Sequence, residues 1–551
     1  MKSKKISKVL LCVCLIAIQL GICTYFATQK KSMFCDEVYS YGLSNSTTYC
    51  FLDYQTIRQV SDNGGWVTSD FYTDYVSFNF KDGFRNFLAP YINQKYDVHP
   101  PAYYYFLHLV CMMFPGSFTK WTGIGLNMFF LVLIDFVLYY ITSYFFKGDK
   151  AKSLTTIVLA TLCAATISNV LFIRMYTLLT LEMLLFVAVH IWIDKHGKLD
   201  KKGYLLVYFA VILGGLTHYY FYPFVFLFSA PICLYLFLRK KWKMFFKYAA
   251  SLCLGFITNL VLFPWTLHHV FGGYRGNEVT SNLVNSSENP FTQFYKTWID
   301  NSIFAGTMII FAVVFALAII VHIVMYFAKN KGTDDVKPSK LKSFIGDVYY
   351  LRVSHTALIY ALMSFAILGF AYVAIVGSSL RSNRYIYPIY PVVAIWIVSC
   401  IYWVFGTVVK NKNVIRVIAA CICVALCVGS VAKYGIDFQY SDADTAHEKA
   451  KTVEGYDCLL YYPEGSWLDV YNSLELKLGY DESYYFNKKE LKNIDKILDE
   501  RETKDDGVVV ILPDATKDSE ASEILDKIIE KTDYTGYEEL FHFFSRVYVL
   551  T

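Results

Sequence analysis

The chain has 551 residues, of which 55% are hydrophobic, 18% aromatic and only 18% charged, with a mean hydropathy of +0.37. Soluble domains run roughly 45–50% apolar and about 25% charged, so this composition excludes an ordinary soluble enzyme. The net charge of +5 hides a split: residues 437–551 carry 27 acidic and 13 basic side chains, and the residues before them 19 acidic and 38 basic.

In chain order, Met1-Lys2-Ser3-Lys4-Lys5 precedes an apolar stretch from Val9 to Phe26. No convincing small-x-small cleavage site follows, which favours an uncleaved first span over a signal peptide. Ten further apolar stretches are long enough to cross a bilayer: 122–146, 153–172, 175–193, 203–220, 221–238, 244–267, 303–328, 352–376, 385–406 and 413–433. Residues 101–115 are apolar but short, and read as a juxtamembrane or re-entrant helix. The linkers at 147–152, 194–202, 239–247, 328–342 and 410–412 are rich in Lys and Arg. Such clusters mark cytoplasmic loops and fit membrane topology better than nucleic-acid binding. The expected fold is thus an α-helical polytopic membrane protein of about 11 transmembrane helices plus juxtamembrane helices. Its N-terminus is cytoplasmic and its C-terminal domain extracytoplasmic.

Within that frame, residues 1–433 form the transmembrane domain, with extracytoplasmic loops at 28–100 and 268–302. In the second loop Gly272-Gly273-Tyr274-Arg275-Gly276 is flexible enough to act as a lid, with Arg275 as its candidate contact. Residues 434–551 form a small soluble α/β domain, with strands at 457–462, 507–512 and 545–550 and helical stretches near 487–499 and 519–531. Most of the 14 cysteines lie in apolar runs and read as small hydrophobes; Cys35, Cys50 and Cys458 lie outside them, an odd count that speaks against a disulfide framework, although Cys35 and Cys50 are able to pair. No CxxC or Cys/His spacing suggests zinc.

Eight acidic residues fall between Asp36 and Asp97. Asp36-Glu37 lies about ten residues beyond the first span, and Asp97 directly precedes the His99-Pro100-Pro101 turn; both belong at the outer membrane surface. Asp36-Glu37 in MFCDEVYSYGLSNS, followed by DVHPPAYYYFLH (97–108), resembles the GT-C polyprenyl-phosphate-sugar glycosyltransferases. Bacterial relatives of the protein O-mannosyltransferases and the lipid A aminoarabinose transferases are the nearest in look. Four more segments fit in order: IRMYTLLTLEML (173–184), GGLTHYYFYPF (214–224), FPW (263–265) and SNRYIYPIYP (382–391). The resemblance covers roughly residues 8–410. Ala102 stands where such proteins usually carry Leu, a change of packing more than chemistry.

The resemblance implies sugar transfer from a polyprenyl phosphate to an acceptor hydroxyl. That hydroxyl needs a base within hydrogen-bonding reach, and the departing phosphate needs cationic stabilisation. By resemblance Asp36 is the base, Glu37 a helper or metal ligand, and Asp97 a second acid that orients the acceptor or shares the base role. Arg174, Tyr176, His218, Arg381, Arg384 and Tyr385 are the candidate donor-phosphate residues, with His99 and Tyr219 as further substrate-site residues. His99 reads first as a builder of the HPP turn. No cofactor is called for; a divalent metal ion at Glu37 and His218 stays an alternative. Asp135 and Glu182, the acids inside apolar spans, read as hydrogen-bonded bundle residues. The partners implied are the lipid-linked donor, a protein, glycan or wall-polymer acceptor, and the bilayer. A transporter or flippase of lipid-linked glycans is the reading from another class, and a non-catalytic envelope scaffold a third. The chain shows no internal repeat, and its polar residues gather at one face, against the transporter pattern.

Overall fold

The computed structural model describes residues 2–53, 56–57, 65–197, 199–285, 299–330, 354–378, 382–440, 443–463, 467–501 and 507–551. The chain begins with α1 (Lys2–Gln29), whose apolar part runs from Cys12. The stretch after α1 then folds into α2 (Cys35–Asn45), a short strand β1 (Trp66–Thr68), α3 (Ser69–Val76) and α4 (Arg85–Tyr96). The α5 helix (Ala102–Cys111) has 10 residues. At 1.5 Å per residue it spans about 15 Å, half a hydrocarbon core.

The membrane body follows as α6 (Lys120–Phe145), α7 (Lys150–Leu162), α8 (Ala164–Leu171), α9 (Tyr176–Lys195), α10 (Lys201–Gly215), α11 (Phe221–Leu238) and α12 (Trp242–Leu262). It continues through α13 (Thr266–Phe271), α14 (Tyr274–Asn285), α15 (Met308–Asn330), α16 (His355–Gly377), α17 (Tyr390–Val408) and α18 (Lys412–Tyr434). Polar caps fix several starts: Asp149 accepts from the amides of Ala151 and Lys152, and Asp200 from that of Gly203. Among the described residues eight helices are long and apolar enough to cross a membrane. The expected span 153–172 is instead the pair α7–α8, bent by 55°. Cys163 at the break has extended backbone, and the freed amide of Ala164 donates to Ser430 Oγ of α18 at 3.1 Å. The expected span 203–220 is also shorter, because α10 has 15 residues and ends at Gly215. The α15 helix is apolar over Met308–His322.

After α18, Gly435 takes φ +79°, a left-handed conformation that glycine adopts without strain. The C-terminal part carries α19 (Ala443–Ala450), β2 (Asp457–Tyr461), α20 (Trp467–Asn472), α21 (Leu474–Lys477) and β3 (Glu482–Phe486). Then come α22 (Ile494–Asp499), β4 (Val508–Pro513), α23 (Asp518–Lys531), β5 (Tyr537–His542) and β6 (Ser545–Leu550). The sheet order is β1-β3-β2-β4-β6-β5, with β3-β2-β4 parallel and the remaining pairs antiparallel. Strands β3 and β5 add to the three expected. More consequential is β1, which the stretch between α2 and α3 supplies, with Trp66 opposite Tyr484. The sheet is therefore not built from 434–551 alone.

Side chains alternate across a strand, so each sheet face has its own set. Leu459, Tyr484, Val508 and Val510 face Ile494, Ile524 and Ile528 and close a core of their own. Cys458, Leu460, Tyr485, Val509 and Ile511 belong to the main core, together with Tyr39, Tyr75 and Tyr103 of the membrane-proximal part. Trp66 fixes the edge strand: its indole donates to the Ile497 carbonyl at 2.9 Å and its ring meets Tyr484 with centroids 5.5 Å apart. Trp66→Ala is expected to cost about 3–5 kcal/mol, the usual range for a buried Trp. Chemical unfolding of the detergent-solubilised protein, with limited proteolysis reading release of residues 65–76, measures it.

Candidate active site

The site starts from the first turn of α2. Phe34 precedes the helix, and Glu37, three residues on, reaches back to accept from the Phe34 amide at 2.6 Å, one half of a capping box. Glu37 is wholly buried, and its carboxylate also accepts from Lys30 Nζ and from the Ile173 amide, each at 2.8 Å. Lys30, itself buried, donates further to the Phe438 carbonyl at 3.3 Å. Both oxygens of Glu37 are thus taken by the fold.

Successive helical residues point about 100° apart, so Asp36 faces elsewhere. Its Oδ2 accepts from Arg384 Nη1 at 2.5 Å, and its side chain keeps 28% exposure where Glu37 keeps none. Arg384 stands on the 3-10 turn Asn383–Ile389 that leads into α17. Its guanidinium lies over the rings of Phe34, Phe172 and Tyr385 at 5.6, 5.7 and 5.3 Å. Arg174 occupies the non-helical joint between α8 and α9, and its Nη1 donates to Ser40 Oγ at 3.1 Å, Tyr104 OH at 3.0 Å and the Asp36 carbonyl at 3.4 Å. The Nε of each arginine is buried without a hydrogen-bond partner.

A second acidic group closes the other side. Asp97 caps the C-terminus of α4 and accepts from Tyr39 OH at 3.3 Å and from His99 Nδ1 at 2.9 Å. With its amide turned to suit its neighbours, Gln94 donates to the same carboxylate at 3.1 Å. Burial opposes charge on Asp97, but the His99 ring and the Arg174 guanidinium hold its carboxyl below the usual range. His99 meets His218 with ring centroids 5.7 Å apart, and His218 meets Tyr176 at 5.9 Å. Burial, with His99 and Arg174 nearby, pushes His218 well below an ordinary histidine, so it is a neutral ring. Its Nδ1 accepts from the Tyr220 amide at 3.0 Å, which leaves Nε2 as the N–H donor. Tyr385 meets Tyr176 edge-on at 6.0 Å.

Asp36, Asp97, Arg174, Tyr176, His218, Arg384, Tyr385 and His99 are therefore brought together at one end of the helical body. Others lie differently. Tyr219 donates to or accepts from His269 Nδ1 at 2.8 Å, and His269 Nε2 meets the Lys95 carbonyl at 3.2 Å, a chain that ties α13 to α4. Arg275 pairs with Glu278 at 2.8 Å on α14, and Asn282 of that helix donates to the Gly377 carbonyl at 3.0 Å. The glycine-rich segment expected as a flexible lid is thus the start of a docked helix. Arg381 lies outside the described residues. Among the described residues no three His, Cys, Asp or Glu side chains converge as metal ligands, and Glu37 would have to release Lys30 to become one. Cys35 and Cys50 are free thiols. Burial, helped by the adjacent Asp36, pushes the Cys35 thiol up to about 12, which removes it as a nucleophile. The intramembrane acids are hydrogen-bonded, Asp135 to Gln19 at 3.5 Å and Glu182 to Thr217 at 2.9 Å.

Sequence reasoning passed over Lys30, Ser40 and Tyr104. Tyr104 lies inside the HPP-x-YYY segment, where its position was readable; Lys30 and Ser40 carry no such signal.

No family model and no curated protein matches the sequence. Among solved structures the chain is similar to ArnT from Cupriavidus metallidurans bound to undecaprenyl phosphate. The two are 11% identical with a TM-score of 0.49, over 99% of this chain and 98% of that one. It is also similar to apo ArnT from that organism, at 13% identity and a TM-score of 0.46, over 82% and 87% of the two chains.

The lowered Asp97 carboxyl makes a prediction with a sign. A carboxylate held below its unfolded value adds stability that is present above about pH 4 and lost as pH falls further. Thermal melting of the wild type should drop more steeply below that pH than that of Asp97→Asn, whose curve flattens because the titrating group is gone.

Proposed function

We propose that the protein is an integral-membrane glycosyltransferase. It transfers a sugar from a polyprenyl-phosphate donor to an acceptor hydroxyl at the extracytoplasmic face, with Asp36 as general base. The observation that carries this reading is the meeting of Asp36 with Arg384 and Arg174, three residues more than 130 positions apart in sequence that the resemblance had already singled out. Asp36 keeps an exposed edge, whereas Glu37 beside it is consumed by the fold.

The chemistry follows from the groups present. The acceptor oxygen attacks the anomeric carbon while its proton passes to an Asp36 oxygen. The bond from that carbon to the phosphate oxygen breaks on the opposite face, so the anomeric centre inverts, and the electron pair leaves on the phosphate. Arg174 and Arg384 carry the charge that offsets it, each with a buried Nε still able to donate. Before the donor arrives, Arg384 is held by Asp36. A phosphate competes for that guanidinium, and its binding frees the carboxylate to act as a base. The neutral His218 supplies an N–H donor, and Tyr176 and Tyr385 meet edge-on beside it. Asp97, fixed by Tyr39 and His99, orients the acceptor.

Sugar transfer in reconstituted protein tests this reading, with labelled polyprenyl-phosphate hexose and a crude envelope acceptor. Asp36→Asn is expected to lose at least about 100-fold in rate, a general-base contribution, while Arg384→Ala raises the donor KM as well. Equal transfer by wild type and Asp36→Asn would move the base to Asp97. No transfer with any lipid donor by folded wild type would overturn the enzyme reading and leave lipid flipping to be measured.

The orientation is part of the proposal, because a polyprenyl-phosphate donor serves a face without nucleotide sugars. A cysteine at exposed Asp533 should react with a membrane-impermeant maleimide in intact cells, and one at exposed Lys240 only after permeabilisation. The reverse pattern would invert the topology.

A further inference from the structure

The segment Lys30–Phe34, which delivers the chain from the first span into α2, is held from outside the membrane body. Glu475, on the short helix α21, receives the Met33 amide on Oε2 at 2.8 Å, and Ser32 Oγ donates to the same oxygen. Tyr440 OH accepts from the Cys35 amide at 3.3 Å and donates to Asn472 Oδ1 of α20 at 2.6 Å, and its ring meets Phe34 edge-on at 5.0 Å. Lys30 Nζ takes the Phe438 carbonyl on the strap between α18 and α19. Tyr471 of α20 packs its ring against Tyr39 at 5.3 Å, the tyrosine that bonds Asp97, and its hydroxyl accepts from the Leu52 amide at 2.8 Å. Ser32, Met33 and Cys35 are all buried, so these partners replace water that would otherwise bond the backbone.

We infer that the C-terminal domain is a working part of the active site, and that Glu475 is a positioning residue which, with Tyr440, sets the entry of α2 and thereby the place of Asp36. The inference rests on Asp36 being the base. Only three residues separate Ser32 from Asp36, too short a path for the helix start to shift without carrying the carboxylate with it. Glu37 fixes α2 against Ile173 from the membrane side, and Glu475 fixes the chain just before it from the other. Glu475 is also placed where its charge matters: burial raises its carboxyl to about 7, Glu37 pushes the same way and Lys30 the other. Charged or neutral, its Oε2 remains an acceptor, which is the property the position requires.

Two replacements separate this role from bulk stability. Glu475→Gln keeps an acceptor oxygen for Met33 and Ser32 and should retain kcat within about threefold. Glu475→Leu removes it and should lower kcat by about 100-fold with little change in donor KM, the size of effect a displacement near 1 Å produces. Adding Ser32→Ala to Glu475→Leu should cost nothing further, since both act through one contact. Hydrogen exchange on the full-length protein reads the same contact without catalysis: in Glu475→Leu the peptide covering 32–37 should exchange faster, while those of β2 and β4 stay protected. Unchanged exchange and unchanged kcat in Glu475→Leu would overturn the inference and leave Asp36 as base. Equal losses in the Gln and Leu variants, with β2 and β4 deprotected, would reduce Glu475 to a folding residue and overturn it too. If folded wild type transfers no sugar, the enzyme reading fails on its own, and the exchange result still decides whether Glu475 holds the segment.

Discussion

A carboxylate sealed from water at the junction of a membrane body and its outer domain has to be neutralised on every side, because the effective penalty for burying an unpaired ion runs to several kcal/mol. Glu37 is that group. It draws Lys30 inward from the end of the first span, closes the start of α2 through the Phe34 amide, and takes the Ile173 amide from the joint between α8 and α9. Asp36 is next to Glu37 in the chain, and Arg174 is next to Ile173. The spacing between the exposed carboxylate and the buried guanidinium is therefore set by one fully satisfied side chain between them.

Around that anchor the charges are arranged so that none is left alone. Arg384 pairs with Asp36; Arg174 spreads over hydroxyls and a carbonyl near Asp36 and Asp97; His99 donates a hydrogen bond to Asp97. Both arginines nevertheless keep one buried N–H unmatched. Unmatched buried donors are uncommon in folded proteins and call for a reason. An anion arriving between the two arginines supplies one, since it would satisfy donors that the protein alone does not.

The helices were readable because apolar length is all that a span requires, and polar caps at Asp149, Asp200 and Asn411 fix some of their starts. The break at Cys163 was not readable: no proline or glycine marks it, and the compensating Ser430 lies on a helix far along the chain. Strand β1 was hidden for a related reason. Three residues carry no periodicity, and their partner β3 lies more than 400 positions away, so only the fold pairs them. At the site, the two adjacent acids Asp36 and Glu37 looked alike as letters. Their separate fates follow from which way a helix turns and from Lys30, whose place beneath Glu37 no local pattern announces. Asp97, Arg174, His218 and Arg384 were legible because a motif carried each of them, whereas Glu475 belongs to a tail for which no motif was at hand.

The outer domain differs from a simple cap in how its sheet is buried. One face closes on α22 and α23, and the other is continuous with the core that holds Tyr39, Tyr75 and Tyr103. A sheet with both faces covered and an edge strand borrowed from the stretch between α2 and α3 has little freedom to rock against the body. Rigid support of that kind is what a base needs when its helix begins only a few residues beyond the membrane. The chain between α1 and α2 has no secondary structure of its own, and its order comes from Glu37 on one side and Glu475, Tyr440 and the Phe438 carbonyl on the other. The approach to α2 is thus fixed by residues from both ends of the chain, and Arg384 meets Asp36 from a third, distant segment.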